Sequence, residues 1–116
     1  SCTSNPFIPF DYNLKKEISI VEIPFIIMDG AISGTSEEIF STVKEHIDIA
    51  YENRSLITIL WHTDRIISED FSEHSIAYKK ILDYLNQLEF ESLTVKEAAK
   101  KYREYVNLME KNIILQ

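Results

Sequence analysis

Cysteine, glycine and basic residues are scarce in this chain of 116 residues. A single cysteine, Cys2, excludes a disulfide within the chain, so the fold requires no oxidising compartment. The two glycines, Gly30 and Gly34, are too few for a phosphate-binding glycine loop or a dinucleotide-binding fingerprint. Lys and Arg number 12 against 19 Asp and Glu, and the formal net charge of −7 disfavours nucleic acid and anionic membranes as partners.

Long hydrophobic runs are also missing from the sequence. No apolar stretch approaches the roughly 20 residues that span a bilayer, and no signal peptide is visible. We therefore expect no membrane span, and both the cytoplasm and the cell envelope stay open as locations. The 45% hydrophobic content is enough for a core, and we expect residues 1–116 to form one domain or part of one. Since the sequence starts at Ser1 rather than at Met, part of a longer polypeptide is one of the possibilities.

Hydrophobic periodicity predicts strands that alternate with helices. The β-branched residues of Glu17 to Ile23 predict one strand. The uniformly apolar run from Leu56 to Trp61 predicts another, covered on both faces as in a parallel sheet. Phe90 to Leu93 is a candidate for a very short third strand, and a polar loop is expected from His62 onward. The predicted helices run from a cap at Thr35 to about Asn53, from Glu73 to Leu88, and onward from a cap at Thr94.

This order of elements predicts an α/β fold with right-handed crossovers between parallel strands. Two strands and a fragment are fewer than the five or six strands of a typical sheet. We therefore expect a parallel sheet that is incomplete in this chain. It is completed either by a second copy or by the remainder of a larger barrel or sheet.

His62 is the strongest single candidate for chemistry. It follows the predicted strand Leu56 to Trp61, at the end where α/β folds place ligand-binding side chains. An imidazole can exchange a proton near neutral pH, as a general acid or base must. A histidine that is bonded to a loop carbonyl explains the same position, and for a single residue this structural reading is the commoner one.

Two aspartates accompany His62 in the sequence. Asp29 ends the apolar run that begins at Phe25, and Asp64 lies two residues after His62. Together with His62 they form a candidate set of metal ligands, although no close-spaced ligand motif supports it. Turn-capping aspartates are the simpler explanation. His46 and His74 fall on polar helix positions, and we expect both at the surface.

Three segments that occur in a particular order resemble one enzyme family. They are Ser4 to Asp11 (SNPFIPFD), then Glu22 to Pro24 followed by Ile27 to Asp29, then Leu60 to Arg65 (LWHTDR). In this order they are similar to the carboxyl-terminal part of the polysaccharide deacetylases, the NodB-homology or carbohydrate esterase family 4 group. The resemblance covers most of the chain, and its strongest motif is the third.

The resemblance implies a distorted (β/α) barrel, of which this chain supplies the last two or three β/α units. It implies hydrolysis of N- or O-acetyl groups on glycans, with a divalent metal such as zinc in the full-length enzyme. His62 matches the histidine that protonates the leaving group, and Leu60 matches the leucine that lines the acetyl pocket. Trp61 is expected beside Leu60 in that pocket, with Asp29 and Asp64 as supporting residues.

The sequence also departs from the family pattern. The family's paired aspartates and H-x-x-x-H metal ligands lie upstream of the matching segments, and no segment here replaces them. We therefore expect this chain alone to bind no metal and to be inactive, with the amino-terminal half of the barrel as its partner. The alternative is a non-catalytic α/β interaction module, such as a homodimer that completes its sheet with a second copy.

Overall fold

The computed structural model describes residues 6–17, 20–23 and 27–115. The chain divides into two compact units, one formed by Phe25–Glu91 and the other by Ser1–Pro24 with Ser92–Gln116. The strands are β1 (Phe10–Asp11), β2 (Lys16–Glu17), β3 (Ile27–Met28) and β4 (Ile59–Leu60), and the helices are α1 (Ser36–Glu52), α2 (Asp64–Ile67), α3 (Ser72–Gln87) and α4 (Val95–Leu115). None of the helices in these described ranges is long and apolar enough to cross a membrane.

The unit Phe25–Glu91 is built on a parallel pair of strands with a helix between them. Strand β3 pairs with β4, so that Ile27 lies opposite Ile59 and Met28 lies opposite Leu60. Helix α1 connects the two strands, as a parallel crossover requires. The predicted mixed α/β class and its small parallel sheet are therefore confirmed.

The hydrophobic core of this unit lies between the sheet and helices α1 and α3. Helix α1 contributes Val43 and Ile47, α3 contributes Ile81, and β3 contributes Ile27. The spacing of Val43 and Ile47 by one helical turn places them on one apolar face, as the sequence predicts. Several partly buried side chains pack around these four: Ile32, Phe40, Ile57, Ile59, Trp61, Tyr84, Leu85, Leu88 and Phe90.

The prediction that Leu56 to Trp61 forms a strand covered on both faces needs correction. Only Ile59–Leu60 forms a strand, and no residue of this run is fully buried. Ile59 packs against the core, and the alternation of a strand places Leu60 on the other face with Met28. Met28 is 44% exposed. The apolar character of the run therefore does not mean that both faces are covered in this chain.

The ends of the helices follow the capping residues that the sequence contains. The Thr35 hydroxyl accepts a hydrogen bond from the backbone N–H of Glu38, and α1 ends at its cap Asn53 as predicted. Thr94 and Glu97 form a reciprocal capping box at the start of α4. Helix α3 begins and ends one residue earlier than predicted. The predicted polar loop after His62 contains the short helix α2.

Two further strand predictions need correction. Among the described residues of the stretch Glu17 to Ile23, which are 17 and 20–23, Glu17 belongs to β2 and Glu22 forms an isolated bridge to Phe7. Strands β1 and β2 form a short antiparallel hairpin, and Lys15 in its turn lies in the left-handed region at φ 54°. Ile18, Ser19 and Pro24 lie outside the described residues, as do Cys2 and the start of the first resemblance segment.

The stretch Phe90 to Leu93 forms no strand. The Phe90 ring instead packs edge-on against Tyr51, with ring centroids 5.4 Å apart. Its apolar side chain therefore belongs to the helix packing and does not extend the sheet.

Gly34 occupies a backbone conformation that side chains disfavour, since its φ is 122°. We expect Gly34→Ala to lower the free energy of unfolding by about 1–3 kcal/mol. Gly30→Ala is the matched control, because Gly30 has no positive φ and its added Cβ would lie at ordinary contact distance, 3.4 Å, from Arg65. Urea denaturation of both variants measures the difference. Equal losses would show that the backbone conformation of Gly34 is not the cause.

Candidate functional site

Asp29 and His62 lie together at the carboxyl ends of the two parallel strands. Asp29 directly follows β3 and opens a short 3₁₀ turn, Asp29–Ala31, while His62 comes two residues after β4. The Nδ1 atom of His62 is 2.7 Å from Oδ1 of Asp29. The sequence separates these residues by 33 positions, and the pairing of β3 with β4 brings them into contact.

The Asp29 carboxylate is completely buried and surrounded by donors. Oδ1 also accepts the backbone N–H of Gly30 at 2.8 Å, and Oδ2 accepts the backbone N–H of His62 at 2.8 Å. Burial alone raises the pKa of the Asp29 carboxyl, but the hydrogen bonds from His62, Arg65 and Gly30 outweigh it. The pKa of Asp29 therefore lies below its ordinary value of 3.8, and the group is ionised at neutral pH.

The Nδ1 atom of the His62 imidazole is hydrogen-bonded to Asp29, and part of the ring is exposed to solvent. Because the ionised Asp29 can only accept, His62 donates its Nδ1–H to the carboxylate. The His62 side chain is 53% exposed, whereas that of Asp29 is 0% exposed. A buried carboxylate behind a half-exposed imidazole fixes the orientation of the ring. The arrangement leaves Nε2 as the nitrogen for proton exchange with a bound molecule.

Arg65 is a member of the site that the sequence reasoning did not single out. Its Nη1 atom is 3.3 Å from Oδ2 of Asp29. Arg65 lies three residues after His62, and its backbone N–H donates to the His62 carbonyl at 3.0 Å. This turn at the start of α2 places the guanidinium beside the carboxylate. The sequence signal was available, since Arg65 ends the LWHTDR segment.

The other predicted site residues are distributed over different surfaces. Leu60 is half-buried in β4 on the face that it shares with Met28. Trp61 lies on the helix side, where its ring packs against Tyr78 at a centroid distance of 5.5 Å. Asp64 is exposed at the start of α2. Of the two predicted supporting aspartates, the structure therefore joins Asp29 to His62.

The remaining histidines occupy two different environments. His46 is exposed on α1 and donates from Nδ1 to the Thr42 carbonyl at 2.9 Å, as expected for a surface residue. His74 is half-buried, and its Nε2 donates to the Ile32 carbonyl at 2.8 Å. The prediction of a surface position for His74 is therefore wrong, because the side chain ties the start of α3 to the segment before α1.

No metal-binding group is present in the described part of the chain. Within residues 6–17, 20–23 and 27–115, no three His, Cys, Asp or Glu side chains are placed to hold a metal ion. The candidate ligand set of Asp29, His62 and Asp64 is thus not assembled. The pair of Asp29 and His62 has the geometry of an oriented imidazole, an arrangement that is suited to proton transfer.

Comparison of this chain with protein-family models, with curated proteins and with solved structures gives no match. The geometry of the site and the segments that resemble the deacetylases are therefore the observations from which a function can be proposed.

The low pKa of Asp29 predicts a specific dependence of stability on pH. Its folded-state pKa lies below the value in the unfolded chain, so the ionised group stabilises the fold at higher pH. This contribution is lost as the pH falls through the folded-state value. We expect the gap in unfolding free energy between the wild type and Asp29→Asn to narrow from about pH 5 to about pH 3.

Urea denaturation across this pH range measures that gap. Asp64→Asn is the control, because it makes the same substitution at an exposed aspartate at the start of α2. A gap for Asp29→Asn that stays constant over the whole range would contradict the prediction.

Proposed function

We propose that this chain is the carboxyl-terminal part of a metal-dependent glycan deacetylase in which His62 is the general acid. The observation that carries the proposal is the pair of Asp29 and His62. One imidazole nitrogen is held by a buried carboxylate at 2.7 Å, and the ring is 53% exposed at the carboxyl ends of two parallel strands. Ligand sites in α/β folds occur at this edge of the sheet.

The chemistry proposed for His62 is donation of a proton to the leaving group. When an acetyl C–N or C–O bond breaks, the departing amine or hydroxyl needs a proton, and the imidazolium supplies it from Nε2. Asp29 stabilises the imidazolium through Nδ1–H and keeps that proton in place after the transfer. His62 then remains as the neutral Nδ1–H form, ready to be protonated again. Water provides the hydroxyl group that appears in acetate.

A metal centre is not formed by the residues that the structure describes in this chain. In the deacetylase family a divalent ion polarises the acetyl carbonyl and activates water. We propose that its ligands belong to the amino-terminal half of the barrel and that this chain contributes the acid. The isolated chain should therefore be inactive.

The exposed face of the parallel sheet fits the interior of a (β/α) barrel. Met28 and Leu60 are paired neighbours on this face, and Met28 is 44% exposed. In the proposed barrel, β3 and β4 are two adjacent strands, and this face is covered by the strands of the missing half. Leu60 would then line the pocket for the acetyl methyl. Trp61, which packs on the helix side, would support the strand from behind.

The same exposed face favours a second candidate function. A non-catalytic module could cover Met28 and Leu60 with the same residues of a second copy and so form a symmetric dimer. Such a protein would use no metal and release no acetate. Sedimentation velocity distinguishes the two candidates, since the module predicts one species with twice the mass of the chain.

Acetate release from an N-acetylated chitooligosaccharide, with zinc present, tests the proposed function. The longer polypeptide that contains this chain, or this chain combined with its amino-terminal half, should release acetate, and the chain alone should not. An O-acetylated xylan in a parallel assay separates the two types of acetyl linkage. A discrete dimer of the chain, with no acetate released from either substrate by the longer polypeptide, would replace this proposal with the interaction module.

A further inference from the structure

The guanidinium of Arg65 is fixed on two sides. The Nη1 atom of Arg65 contacts Oδ2 of Asp29 at 3.3 Å, and its Cζ atom lies 4.7 Å from the centre of the Phe71 ring. The side chain is 23% exposed. A planar guanidinium can stack on an aromatic face while its edge donates to a carboxylate, which an ammonium group does not reproduce.

The backbone of Arg65 is fixed as well. Its carbonyl accepts the indole N–H of Trp61 at 3.1 Å and the hydroxyl of Ser75 at 3.3 Å. Its N–H donates to the His62 carbonyl. Arg65 is thus connected to the residue before His62, to His62 itself and to helix α3.

The Nε atom of Arg65 is buried, and it has no hydrogen-bond partner within the described part of the chain. A buried donor without a partner costs free energy. The contact of Nη1 with the Asp29 carboxylate is therefore the polar contact of this side chain that bears on the site.

The two oxygens of Asp29 accept from different donors. Oδ2 receives Arg65 and the backbone N–H of His62, which leaves Oδ1 to face the imidazole and Gly30. Rotation of the carboxylate would break contacts at both oxygens. We infer that Arg65 is a positioning residue that acts through Asp29 to hold His62 in the Nδ1–H form with Nε2 free. The inference rests on the proposed function only for its catalytic consequence.

Nitrogen NMR of His62 tests this inference without an activity assay. At a pH well above the usual titration range of histidine, the ¹⁵N shifts of the neutral ring report which nitrogen carries the proton. The wild type should show Nδ1–H. In Arg65→Met, the signals should move toward a mixture of the two forms. Arg65→Lys, which keeps the charge but not the planar fork, should give an intermediate result.

Arg54→Met is the matched control, since Arg54 is an exposed arginine at the end of α1 in the same unit. It should leave the His62 signals unchanged. If Arg65→Met does not fold, Arg65→Lys provides the decision, because it removes the planar fork and keeps the charge. Unchanged Nδ1–H signals in the folded Arg65→Met, or in Arg65→Lys where the first variant fails, would overturn the inference.

The kinetic consequence is tested separately in the longer polypeptide. We expect Arg65→Met to lower kcat by about 10–100-fold with little change in KM, because misplacement of a catalytic group affects the chemical step. A change in the NMR signals without any deacetylation by the wild type would support the positioning role and reject the proposed function. Deacetylation by the wild type, together with unchanged NMR signals in Arg65→Met, would support the proposed function and reject the positioning role.

Discussion

Replacing His62 with alanine is expected to lower kcat for acetate release by about 10²–10⁴-fold in the proposed deacetylase. This is the range for a residue that transfers a proton in the transition state. KM should change little, because the proposed role of His62 is to protonate the leaving group. The fold should also tolerate the change, since the side chain is 53% exposed. Initial rates over a range of substrate concentrations separate the effects on kcat and KM.

His46→Ala is the control for this substitution. His46 is an exposed histidine on α1 in the same unit, and its Nδ1 donates to the Thr42 carbonyl rather than to Asp29, so activity should be retained. Full activity of His62→Ala would show that the acid is another group. An equal loss in both variants would indicate a general effect on folding.

Replacing Asp29 with asparagine should affect both stability and activity. The buried carboxylate accepts from two backbone N–H groups, from the imidazole and from Arg65, and an amide cannot accept all four. We expect the free energy of unfolding at neutral pH to fall by about 2–4 kcal/mol. The expected loss of stability is smaller than that for breaking a fully buried ion pair, because the His62 and Arg65 side chains are partly exposed to water.

The activity of Asp29→Asn should fall with the loss of ring orientation. The amide NH₂ favours an imidazole that accepts at Nδ1, which places the neutral proton on Nε2. We expect kcat to decrease by at least about 10²-fold. Asp64→Asn changes an exposed aspartate that lies two residues after His62 in the sequence. It should change neither the free energy of unfolding nor kcat. Circular dichroism in urea and initial rates measure the two effects, and a stable, fully active Asp29→Asn would remove the pair from the mechanism.

The local features of the fold could be predicted because neighbouring residues determine them. The Thr35 cap and the apolar spacing of Val43 and Ile47 define α1 without reference to the rest of the chain. The strand Leu56 to Trp61 was predicted too long, because a ladder depends on partners that are distant in sequence. The sequence shows how apolar this run is but not how many residues find a partner.

The candidate site could be predicted only in part, because contacts between its residues depend on strands that are distant in sequence. The position of His62 after a strand follows from local pattern, but its contact with Asp29 depends on the pairing of β3 with β4. Asp64 was equally plausible in the sequence, and its exposed position at the start of α2 separates it from the pair. The barrel, the metal and the glycan stay predictions that the proposed experiments address.

Trp61 gives this protein a built-in optical probe. It is the single tryptophan of the chain, and its indole N–H donates to the carbonyl of Arg65 at 3.1 Å. Excitation of the indole therefore samples the turn that connects β4 with α2. A shift of its emission maximum would report solvent reaching that turn. Fluorescence during refolding can thus follow when the sheet edge that carries Asp29 and His62 forms, independently of the helices that dominate other spectroscopic signals.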